Sequence, residues 1–80
     1  MIVSAPTKLR QFREELTSPK VSQERLARQA NITLATYRNA EAGKTIQYST
    51  AKAILDALNA ERQARQLPPV ALDDIGFDLA

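Results

Sequence analysis

One capping signature occurs twice in quick succession, at Val21-Ser22 and again at Ile32-Thr33. Ser22 can accept from the open N–H groups of a helix starting at Gln23, and Val21 has the spacing to staple against Leu26. In the second unit Thr33 is the cap, Ile32 precedes it and Tyr37 is the apolar partner. Asn31 stands between the units and tolerates the left-handed backbone that ends a helix. Gly43 closes the second unit, where positive φ meets no Cβ. The pattern predicts helices over 23–30 and 34–42 joined by a turn of about three residues. Ala27 falls where two helices so linked must cross, and a small side chain lets the backbones approach. Leu26, Ala30, Ile32, Tyr37 and Ala40 then face the core.

The flanking sequence adds helices rather than strands. Thr7 caps a segment over 8–16 with Leu9, Phe12 and Leu16 on one face, and Thr17-Ser18-Pro19-Lys20 ends it. A longer helix over 48–66 carries Tyr48, Ala51, Ile54 or Leu55 and Leu58 as its core stripe. Its last turns, from Glu61 to Gln66, read as polar on every side. The expected fold is all-α, a compact four- to five-helix bundle. Its expected organisation is a flexible N-terminal arm at 1–6, a helical body at 7–66 and a Pro-containing acidic and apolar tail at 67–80.

Eighty residues make one domain with little room for a catalytic cleft. The chain has no cysteine and no histidine, which excludes disulfides, thiolate metal sites and the usual acid/base group near neutral pH. Adjacent Asp73 and Asp74 lack the further oxygen ligands that close a cation site. No metal, no cofactor and no enzymatic activity are therefore expected. The opening residues lack the basic and apolar regions of a signal peptide, and no run is apolar enough for a membrane span. A cytoplasmic protein without membrane contact is the expectation.

Charge is unevenly placed. Residues 1–65 hold all eleven basic side chains against six acids, a net +5, while 66–80 hold three acids and no base. A basic body suits a polyanionic partner.

The two capped units form a helix-turn-helix, and its residues are similar to a known family. Ser22-Gln23 followed by Leu26-Ala27, the turn pair Asn31-Ile32, then Thr33, Thr36-Tyr37 and the closing Glu41, Gly43 and Lys44 resemble the Cro/lambda-repressor (XRE-like) family. The resemblance covers residues 9–58. It implies a lambda-repressor-like fold whose second motif helix enters the major groove of double-stranded DNA. It further implies base contacts from Leu34, Ala35, Thr36, Arg38 and Asn39, and phosphate contacts from Gln23, Thr33, Lys44 and Thr45. Arg13 aligns with an arginine that pairs with Glu41 as a structural ion pair, with Arg10 as the alternative partner. Three departures stand out: the 17–20 insertion, Tyr37 at an aliphatic position, and apolar Leu34-Ala35 where hydrogen-bonding side chains are common.

The expected function is sequence-specific DNA binding by a nucleoid-associated transcriptional regulator of repressor type, acting as a homodimer. The alternative is a protein-interaction module, or an antitoxin-type regulator whose acidic tail binds a partner protein. For the tail itself, Leu72, Ile75, Phe77 and Leu79 either fold back to cap the bundle or pair two subunits.

Overall fold

In the computed structural model, which describes residues 7–80, each of three hydroxyl side chains opens a helix. Thr7 accepts from the Arg10 N–H and starts α1 (Lys8–Glu14). Ser22 accepts from the Arg25 N–H and starts α2 (Gln23–Gln29). Thr33 accepts from the Thr36 N–H and starts α3 (Leu34–Glu41). Gln47 precedes α4 (Tyr48–Ala64) without a side-chain cap bond, and a short α5 (Leu72–Ile75) follows. The expected arm at 1–6 lies outside the described residues.

Helix ends follow one scheme three times. Asn31, Gly43 and Gln66 each take positive φ, at 59°, 85° and 60°. Beyond each, the next N–H reaches back to the helix: Ile32 to Ala27 O, Lys44 to Asn39 O and Leu67 to Arg62 O, at 2.9–3.0 Å. These are the six-to-one bonds that satisfy orphan carbonyls at a helix terminus.

The core draws on every helix: Leu9, Leu26, Ala27, Tyr37, Ala40, Ala51, Ile54, Leu55, Leu58 and Ile75 are buried, with Leu16, Val21 and Ile46 from the links. Ile32 and Phe12 pack against this core only partly buried. α2 packs on both α3 and α4, while α1 meets α3 and α5.

Two expectations are corrected. Tyr48 is 58% exposed rather than core, because it occupies the first position of α4, a turn before the buried face begins at Ala51. The last turns of α4 are not solvated throughout: Glu61 and Arg62 are buried. Glu61 sits among Arg25, Gln29 and Arg65. Arg62 lies over the Phe12 ring, 5.4 Å from its centroid, and donates to Pro68 O.

Residues 67–80 fold back on the bundle. Asn59 exchanges two hydrogen bonds with the Val70 backbone, at 3.0 and 2.9 Å. Ile75 enters the core against α1 and α4, and Leu79 forms a parallel bridge with Ile46.

Candidate nucleic-acid interface

On α3, successive residues are turned by about 100°, which puts Leu34, Ala35, Arg38 and Asn39 within one arc of about 140°. Tyr37, Ala40 and Glu41 fall outside that arc and are buried. Ala35, Arg38 and Asn39 are exposed and Leu34 is half-buried. Thr36 lies at the edge of the arc, half-buried, where it accepts a 2.8 Å hydrogen bond from the Thr33 hydroxyl. The Thr33 proton is therefore committed within the cap, and Thr36 is the hydroxyl that keeps a proton to donate.

Glu41 fixes this helix from behind. Its carboxylate accepts from Arg13 Nε and Nη2, both at 3.0 Å, and from Gln23 Nε2 at 3.2 Å. Arg13 also donates to Val21 O, so one guanidinium links α1, the entry to α2 and the end of α3. Arg10 pairs instead with Glu14 on its own helix. Burial works against the Glu41 charge, but the Arg13 hydrogen bond and charge, with the Gln23 hydrogen bond, outweigh it and hold the carboxyl below its usual range. The same hydrogen bond raises the Arg13 pKa, so the pair stays charged. The Tyr37 hydroxyl is buried beside Glu41 and Arg13 but meets hydrogen-bond geometry with neither. Burial first, then the Glu41 charge, push its pKa up.

The sequence-derived phosphate contacts are differently disposed. Lys44, three residues past the end of α3, is exposed. Gln23 is half-buried and turned toward Glu41. The Thr45 hydroxyl donates to Asp78 Oδ2 at 2.6 Å, a contact with no signal in the sequence because 33 residues separate the two.

Cations fall into two populations. Arg10, Arg13, Arg25, Lys52, Arg62 and Arg65 are held by carboxylates. Among the described residues, Lys8, Lys20, Arg28, Arg38 and Lys44 are exposed and make no such pair. Arg28 lies in the last turn of α2, Arg38 lies on α3 and Lys44 follows it, so three free cations attend the motif. No group of three or more ligating side chains that could hold a metal occurs among the described residues. No described helix is long and apolar enough to cross a membrane.

Two short crossed helices, with the second presenting an open face, define a helix-turn-helix protein of the DNA-binding class. Residues 7–67 match the helix-turn-helix domain family, a family of XRE-like domains, and the chain belongs to it. No curated protein and no solved structure matches the chain.

Proposed function

We propose that the chain binds double-stranded DNA sequence-specifically, with α3 in the major groove, as a transcriptional regulator of repressor type. The observation that carries this reading is the open Leu34–Asn39 arc, attended by unpaired Arg28, Arg38 and Lys44, three of the five exposed cations that no carboxylate holds among the described residues. Free cations at one place supply the phosphate attraction that neutralised ones cannot.

Asn39 is assigned to an adenine edge, which its amide can bond twice; Arg38 favours guanine or phosphate. Leu34 and Ala35 offer only apolar contact to thymine methyls, and Thr36 adds one donor. Lys44 and Thr45 are assigned to phosphates, along with Gln23 through whatever of its amide Glu41 leaves free. So small a reading face supports a homodimer on half-sites about one DNA turn apart. Residues 7–66 form the DNA-binding body in this reading, with 67–80 laid against it.

A protein-partner role for the tail has less behind it, since Ile75 is buried and Leu72 and Phe77 are packed against the bundle. Selection from a random duplex pool, followed by affinity measurements over a salt series, tests the proposal. Enriched half-sites with steeply salt-dependent binding are expected. Absence of enrichment together with salt-insensitive binding would reject it. Asn39→Ala should lose about 1–3 kcal/mol of discrimination at one base pair, whereas Lys44→Ala should weaken all sequences alike.

A further inference from the structure

The loop after α3 spends its donors on the tail. Thr45 gives its only hydroxyl proton to the Asp78 carboxylate at 2.6 Å, and the Ile46 N–H donates to Asp78 O at 2.8 Å. Two of the donors that follow Lys44 are thus held by one residue of opposite charge to Lys44 and of like charge to DNA. The 2.6 Å contact is in the range of a charge-assisted bond, the kind a phosphate oxygen would also make.

We infer that the Asp78 carboxylate occupies the place of a DNA phosphate at the Lys44–Thr45 corner, so that the folded-back tail restrains DNA binding and lifts when DNA is engaged. This rests on the DNA-binding reading of α3 and its flanking loop.

The tail is constructed to pivot there. Ile75 anchors it in the core, and Gly76 follows at φ 71°, a conformation that side-chain-bearing residues rarely adopt. Beyond Gly76 the attachment is half-buried Phe77 against the core and little else. Asp78, Leu79 and Ala80 are exposed, and the backbone contacts are the Ile46 N–H bond and one from Ala80 N–H to Ile46 O at 2.9 Å. A segment with few buried contacts and exposed hydrogen bonds opens at low free energy. Lys44 remains unpaired beside it, so the corner keeps an available cation while the tail withholds its neutral donors.

The test compares wild type, Asp78→Asn, Asp78→Ala, Asp73→Asn and Lys44→Ala on a fluorescent random-sequence duplex over a salt series, with helicity checked by circular dichroism. Both Asp78 variants should bind about three- to fivefold tighter than wild type at low salt, as expected for removing one like charge at short range. Their salt slopes should steepen by less than about one, because the freed donors are neutral and only the lost repulsion adds to counterion release. Asp73→Asn makes the same change in net charge from α5 and should shift affinity by less than about twofold, since screening weakens a displaced charge.

Unchanged or weaker binding by folded Asp78 variants, with Lys44→Ala still weakening the wild type, overturns the tail's role and leaves the DNA reading standing. Binding by the Asp78 variants alone supports the inference in its strongest form. No binding by any of the five proteins removes both readings together.

Discussion

Two buried carboxylates hold this bundle together, and they do so in different ways. Glu41, at the end of α3, is met by Arg13, which is itself only 17% exposed. Glu61, in α4, is met by Arg25, which is 46% exposed, and by Arg65 at 15%. Arg65 has other work: it donates to Thr17 O at 3.0 Å and Pro19 O at 2.7 Å, pinning the 17–20 insertion against α4. Without Glu61, Arg25 can turn to water and Arg65 keeps its carbonyls. Without Glu41, Arg13 retains Val21 O and otherwise sits half-buried with an unpaired charge. The difference teaches that the worth of a buried carboxylate lies in what its loss strands, more than in how many donors it satisfies.

The largest effect should therefore come at Glu41. Glu41→Gln should destabilise the fold by about 3 kcal/mol, the lower end for breaking a buried pair. Glu61→Gln should destabilise by about half as much, since one cation escapes to solvent. Urea denaturation at neutral pH measures both, and equal losses would break the comparison. Acid sharpens it. Both carboxyls lie below their usual pKa because hydrogen bonds and charges from the partners overcome the opposing burial. A depressed folded-state pKa contributes stability that is present above the unfolded value, about 4.5, and lost as pH falls through the folded one. The gap between wild type and Glu41→Gln should accordingly narrow below about pH 4. A gap unchanged between neutral and acid pH would mean that Glu41 is not ionised in the folded protein.

A smaller effect of opposite sign is expected at Tyr37. Its ring is fully buried while its hydroxyl has no hydrogen-bond partner, so the fold carries an uncompensated desolvation. Tyr37→Phe keeps the ring and should stabilise by about 1 kcal/mol. A loss of stability on thermal melting would reveal that Glu41 uses this hydroxyl after all, making the Glu41 cluster richer than its geometry shows.

The difference between the two clusters also marks what the amino-acid sequence made legible. Thr7, Ser22 and Thr33 announced their helices because a cap acts on its own next turn. Asn31 and Gly43 announced the ends for the same local reason. The Arg13–Glu41 geometry spans 28 residues, and only the family resemblance pointed to it. Glu61 gave no signal: a glutamate among arginines at a helix end is ordinarily solvated, and its burial depends on Arg25 and the 17–20 loop arriving from far along the chain. The same distance hid Asp78 from Thr45. Tyr48 misled for a third reason, since helical periodicity says which residues share a face but not where along the helix its covering neighbour begins.

Gln66 is another local feature that the sequence concealed, and it gives the smallest test. It takes the same left-handed position at the end of α4 that Asn31 takes after α2, with the Gln66 N–H on Gln63 O and the Leu67 N–H on Arg62 O. Glutamine has neither the freedom of glycine nor the local hydrogen bonding that lets asparagine tolerate this region. What holds it there is tertiary: Arg62 donates to Pro68 O two residues on, fixing the chain's path out of the helix beside Glu61. Gln66→Gly should relieve the strain and stabilise by about 0.5 kcal/mol, net of the extra freedom glycine gives the unfolded chain. A shift of that size in the denaturation midpoint, with an unchanged slope, is the expected outcome. A destabilisation would mean that the Gln66 side chain contributes to the α4 terminus, and the Glu61 end of the molecule would then be as tightly built as the Glu41 end.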